Sequence, residues 1–125
     1  MISSGIESVH VKQIEALLKK RDFIRHFTPS EIEYCRRYKD MNIHFASCLA
    51  AKLAFLKATS HFVKLDLNDI EIKHTHSGKP FVKIPRNHHD FTISLSISHT
   101  KTIAVALCVI TDGKHFSARK GKRYS

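Results

Sequence analysis

Acidic side chains are scarce in this sequence: 11 Asp and Glu stand against 21 Lys and Arg, giving a formal charge of +10 over 125 residues. Part of that excess is local, because Lys114, Arg119, Lys120, Lys122 and Arg123 follow Ile110 with only Asp112 against them. The rest of the chain is moderately basic. A surface of this sign attracts polyanions, whether nucleic acid, anionic membrane, phosphorylated cofactor or acidic protein, and charge alone does not choose among them. Cysteine is also sparse. Cys35, Cys48 and Cys108 are odd in number and form no C-x-x-C, which argues against a disulfide framework or a zinc site and fits a reducing cytoplasm. Long apolar runs are missing: the N-terminal segment has no signal-peptide core, and the longest strongly apolar run, Ile103 to Ile110, falls far short of a membrane span. A soluble cytoplasmic protein without membrane contact is expected. There is no internal repeat, and the length suits one core rather than two.

What is present divides into two halves of different period. Val11, Ile14, Leu17 and Leu18 recur at helical spacing among Lys12, Lys19, Lys20 and Arg21, which predicts a basic amphipathic helix. Thr28-Pro29-Ser30-Glu31 combines a capping hydroxyl, a proline at the first helical position and a glutamate three residues after the cap, so a second helix starts at Pro29. From Asn42 to Ser60, Phe45, Leu49, Leu53 and Leu56 recur at threes and fours with no Gly or Pro between them, which predicts the longest helix. Beyond it, Ile70 and Ile72 alternate with charged residues, His76-Ser77-Gly78-Lys79 supplies a turn, and Phe81 to Ile84 returns as a strand. Phe91, Ile93, Leu95 and Ile97 alternate with Thr and Ser, and IAVALCVI after Ser98-His99-Thr100 reads as a buried strand. Helices first and antiparallel strands second predict an α+β domain over residues 1–111, followed by a basic tail, 112–125, without order of its own.

Four segments taken in order, GIESVHVKQI, FTPSEIEYCRR, LAAKLAFLKA and the group DIEI, SGKP and SISHTKTIAVALCVI, resemble the holo-acyl-carrier-protein synthase family of 4'-phosphopantetheinyl transferases. The resemblance spans roughly Gly5 to Ile110, and its order and spacing are more specific than any one motif. It implies helices packed on a small antiparallel sheet, assembled as a homotrimer with active sites between subunits. The implied reaction is attack by a serine of an apo acyl carrier protein on the β-phosphate of coenzyme A. Phosphopantetheine is transferred, adenosine 3',5'-bisphosphate leaves, and magnesium and cationic side chains meet the phosphates.

The resemblance also assigns residues. Glu7 stands where the family has a magnesium-binding aspartate, one methylene longer. Lys52 is assigned to the phosphates and the proton transfer, with Lys57 beside it, and His99 to the coenzyme A nucleotide. The family's arginine and glutamate on the long helix are here Cys48 and Leu53, which supply neither charge nor metal ligand. The glycine-rich stretch that follows in the family is Thr59-Ser60-His61. A weak magnesium site is therefore expected, with coenzyme A as co-substrate. Lys12, Lys19, Lys20, Arg21 and Arg25 match the region that docks the acidic carrier protein, where complementary charge speeds encounter. A plain solvated basic face accounts for the same residues.

Three alternatives follow from the residues. A member that has lost its metal site would dock a carrier without transfer. A nucleic-acid binder would need an aromatic stacking platform, and the strands carry none, so nucleic acid is not an expected partner. Among ten histidines, His74-x-His76 and His88-His89 invite a metal, yet no carboxylate or thiol stands at ligand spacing, so they read as hairpin and loop surface. The cysteines within helices read as inert buried thiols.

Overall fold

The computed structural model describes residues 1–61, 63–85 and 91–112. Strand β1 (Ile2–His10) leads directly into helix α1 (Val11–Leu18), and a 3-10 turn (Arg21–Arg25) connects to α2 (Pro29–Arg36). Helix α3 (Met41–Thr59), a second 3-10 turn (Leu67–Asp69), the hairpin β2 (Glu71–His74) and β3 (Pro80–Lys83), and the strands β4 (Phe91–His99) and β5 (Ile103–Asp112) complete the chain. The α+β expectation holds, and every predicted helix and strand is found. Strand β1 was not predicted: its pattern, ISSGIESVH, mixes Ser and Gly with isolated apolar residues, too weak an alternation to read alone. Of the expected tail, residues 113–125 lie outside the described residues, as do His88 and His89.

The main sheet has the antiparallel order β1-β5-β4, and β2-β3 forms a separate ribbon lying against β4. Its turn places Gly78 at φ +89°, a conformation that glycine adopts without steric cost, and Thr75 closes it by bonding Lys79 and Gly78. Helix α3 packs across all three strands of the main sheet, with α1 and α2 on its other side. Being covered on both sides, it is apolar nearly all round rather than along one stripe; of its 19 residues only the first and Lys57 are exposed.

Small residues let the helix and sheet approach. Gly5, Ala104, Ala106 and Cys108 on the sheet are buried together with Ala46, Ala50, Ala51, Ala54 and Ala58 of α3. The tightest point is Gly5, where an added Cβ would come within 2.2 Å of the Ala54 carbonyl oxygen. That clash is with backbone and cannot be relieved by a rotamer change. A glycine in the first motif is thus required by packing, and it brings the next residues of β1 against α3.

Among the described residues none covers the opposite face of the sheet. Ile2, Ile6, Val105 and Leu107 lie exposed on it, at 75%, 57%, 36% and 43%, among serines and threonines of β1 and β4.

Candidate functional site

Side chains alternate along β1, so Glu7 shares the α3-facing side with Gly5 and stands beside the helix that Gly5 lets in. There the Lys57 ammonium lies 3.2 Å from the Glu7 carboxylate and donates to the Ile6 carbonyl at 3.2 Å. Both partners reach solvent, with 55% and 33% of their side chains exposed, so the pair is weakly held and free to exchange for a ligand. Leu53, one helical turn before Lys57, lines a different open groove with Leu56, Leu65, Leu67 and Arg25. Asp66 and Asp69 border that groove, but Asp69 is engaged in capping the turn through the Asp66 amide.

What this pair offers a divalent cation is one half-buried carboxylate with an ammonium on it. Among the described residues no three His, Cys, Asp or Glu side chains converge. This fits an ion that takes most of its octahedral ligands from phosphate and water, and does not fit a resident all-protein site.

Lys52, which the resemblance assigns to the phosphates and the proton transfer, lies inside the single chain. It is completely buried, and its ammonium donates to the Glu31 carboxylate at 2.7 Å and to the His26 carbonyl at 2.9 Å. Glu31 in turn accepts from the amide of Thr28, closing the predicted capping box, and from the amide of Ile72 on β2. One sealed ion pair thereby joins α2, α3, the chain before α2, and the hairpin. Within the single chain Lys52 thus has no exposed surface, and its contacts tie elements of the fold together. The burial of Glu31 was not foreseen; a capping-box glutamate ordinarily faces water, and here α3, through Lys52, and β2, through Ile72, close over it.

His99, at the end of β4, is exposed and lines a groove of about 580 Å³ with Val11, Asp40, Asn42, Ile43, Thr100 and Lys101. Its Nδ1 lies 3.1 Å from the Thr100 carbonyl, which fixes the ring at the mouth of the turn. Within one chain this groove and the Glu7–Lys57 pair are apart. In register, Glu7 faces Ala106 and Ile97, whereas His99 faces Ala104 and Val9, with β5 between the two edge strands. Two strand spacings amount to about 9.5 Å before the register offset is added.

Cys48 is buried, and burial, with Glu31 and Cys35 nearby, pushes its thiol well above the ordinary range; burial likewise raises Cys35 to about 12 and Cys108 to about 11. All three stay protonated and unreactive near neutrality. Lys12, Lys19, Lys20, Arg21 and Arg25 are exposed on α1, its C-terminal end and the following turn. None of the described helices is long and apolar enough to cross a membrane.

The family model of the 4'-phosphopantetheinyl transferase superfamily matches residues 3–108. A holo-[acyl-carrier-protein] synthase of Geobacter sp. (strain M21) is 34% identical over 86% of this chain and 95% of its own, and one of Thermodesulfovibrio yellowstonii is 36% identical over 86% and 96%. Among solved structures, a holo-(acyl-carrier-protein) synthase from Bacillus anthracis in complex with CoA (3',5'-ADP) superposes with a TM-score of 0.75, at 29% identity over 86% of this chain and 94% of that one. The Helicobacter pylori holo-[acyl-carrier-protein] synthase in complex with coenzyme A gives 0.70 at 28% identity, over 89% and 100%.

Proposed function

Because the chain belongs to the 4'-phosphopantetheinyl transferase superfamily, we propose that it transfers 4'-phosphopantetheine from coenzyme A to a serine of an apo acyl carrier protein. The observation that carries this reading is the Glu7–Lys57 pair, a carboxylate and an ammonium held side by side on the family's fold by the close approach at Gly5. In the reaction the serine hydroxyl oxygen bonds to the β-phosphorus and releases its proton to water, the phosphoanhydride bond breaks, and adenosine 3',5'-bisphosphate departs. Lys57, exposed and on a flexible stem, turns from Glu7 to the phosphate oxygens and offsets their charge. Magnesium would be held by Glu7, and when bound it neutralises the pyrophosphate. Lys52 acts at a distance, holding α2 and α3 together beneath the site.

The separation of Glu7 from His99 within one chain supports an active site shared between copies, and the uncovered apolar sheet face supports a homotrimer built through it. An acidic carrier protein is the partner that the cations of α1 and the following turn suit, and the free, unreactive thiols suit a cytoplasmic setting.

A second reading, a family member that docks a carrier without modifying it, is favoured by Leu53 and Cys48, which leave one metal ligand and remove one fixed cation. Intact-mass analysis of several apo carriers after incubation with this protein, coenzyme A and magnesium, beside a competent synthase, separates the two. A phosphopantetheine-sized gain on any carrier supports transfer; carrier binding without a gain, with the control working, supports the second reading.

A further inference from the structure

An open groove of about 640 Å³ runs between α3 and the two 3-10 turns. Four half-buried leucines form its apolar side, Leu53 and Leu56 on α3 with Leu65 and Leu67 on the chain that follows. Leu53 and Leu56 are three residues apart and so lie on one face of the helix. Leu53 also stands where the family has a glutamate, which makes this end of the groove apolar where the family carries a charge.

The two rims of the groove differ in sign. On one side Arg25 is exposed and, among the described residues, has no carboxylate within ion-pair distance, while the His26 carbonyl is already taken by Lys52. On the other, Asp66 and Asp69 each accept the other's backbone amide and close the second 3-10 turn. The aspartates are committed to the fold, and Arg25 is the charge left for a partner.

Position selects the occupant. Lys57 follows Leu56 directly and stands about 6 Å along α3 from Leu53, in the pair that the transferase reading brings to the phosphates. Arg25 belongs to the cations of α1 and the following turn that suit an acidic carrier. A carrier that brings its serine to Lys57 and an acidic residue to Arg25 lies across the leucines, because Arg25 borders the groove and Lys57 adjoins it along α3. An apolar side chain facing them takes both surfaces out of water, which is favourable. An acidic one is desolvated with no donor to meet it.

We propose that this groove is the part of the docking surface that discriminates among carriers: an apolar side chain near the carrier's serine seats on Leu56, Leu65 and Leu67, and Arg25 pairs with an acidic residue beyond it. The inference rests on the carrier reading proposed above. Cations alone accept any acidic carrier. The leucines add a choice, because a carrier with an acidic side chain at the same place brings it against leucine and toward Asp66.

The test is methyl NMR of the full chain, labelled at isoleucine and leucine and titrated with acyl carrier proteins whose serine is replaced by alanine, so that no transfer intervenes. Shifts are expected on Leu56, Leu65 and Leu67. Leu65→Asp should weaken carrier binding about tenfold, and an aspartate in place of the carrier's apolar residue should do the same. Ile24→Ser, in the neighbouring groove of Phe27, Pro29 and Ile32, should leave binding unchanged. Shifts confined to Ile24 and Ile32, or an unchanged affinity of folded Leu65→Asp, overturn the proposal. So do leucine shifts that appear without carrier as protein concentration rises, which assign the groove to a second copy. The wild-type spectra decide the matter even if Leu65→Asp does not fold. Transfer to unmodified carriers, followed by mass, keeps the readings apart. Transfer with the leucine methyls unmoved removes the groove alone, leucine shifts without transfer remove only the transferase reading, and neither binding nor transfer with any carrier removes both.

Discussion

Lys52 and Glu31 form an ion pair of 2.7 Å in which neither side chain is more than 1% exposed. Two charges taken that far from water are tolerated because every lone pair in use has a donor: Glu31 also accepts from the amides of Thr28 and Ile72, and Lys52 also donates to His26. Removing one partner leaves an uncompensated buried charge. Lys52→Met or Glu31→Gln is therefore expected to destabilise the fold by about 3–5 kcal/mol, measured by urea unfolding. The double variant should recover part of that loss, and additive losses would show that the two side chains act independently.

At Gly5 the constraint is steric. Gly5→Ala places a methyl group 2.2 Å from the Ala54 carbonyl, and β1 must move off α3, at a cost of about 1–3 kcal/mol or more. Thermal unfolding reads the loss, and a variant as stable as the parent would contradict the close approach.

Leu53 lies along the neighbouring groove, but it stands one turn before Lys57 on α3, so a glutamate there projects from the same helix face as Lys57 and is within reach of the side on which Lys57 meets Glu7. Leu53→Glu should raise affinity for Mn2+, a spectroscopic stand-in for magnesium, by on the order of tenfold, seen by electron paramagnetic resonance, and should raise metal-dependent transfer in parallel. Unchanged Mn2+ binding would mean that Glu7 and position 53 do not share a site.

The uncovered sheet face gives a prediction about assembly. Leu107 and Ile6 face each other across β1 and β5, both largely exposed in the single chain. A charge buried there by association would be unpaired, so Leu107→Glu should shift sedimentation from the proposed trimer to the monomer. A parent protein that sediments as a monomer at micromolar concentration would rule out assembly through this face.

Acid should destabilise the fold in two stages. His44 and His74 are lowered from 6.5, chiefly by burial, so the unfolded chain binds protons first; their contribution is complete above the unfolded value and lost as pH falls below it. Glu71 follows at lower pH: burial pushes it up, but hydrogen bonds from Ser30 and Thr28, with Lys73, outweigh that and hold it below 4.5. Its contribution is present above the unfolded value and lost as pH falls through the folded one. Stability measured from pH 7 to 3 should show both falls, and His44→Phe should weaken only the first.

Much of this protein was legible in the order of its residues. Helix α2 was placed to its first residue because Thr28-Pro29-Ser30-Glu31 satisfies free amides locally, and the hairpin because Ser77-Gly78 makes its own turn. The pairing of Glu7 with Lys57 was not legible: the two are fifty residues apart, and only the approach at Gly5 joins them. The stack of Tyr34 on His74, with ring centroids 4.1 Å apart, escaped for the same reason, since its two residues sit on α2 and β2 and no spacing relates them.

The sequence by itself determined the local elements and the family, because caps, turns and periodicity act over a few residues and the motifs keep their order. Tertiary structure alone decided which lysine is available. Lys52 and Lys57 look alike on a line of sequence, five residues apart on one helix. At 3.6 residues per turn they project in different directions, so Lys52 is sealed against Glu31 while Lys57 stands in water beside Glu7.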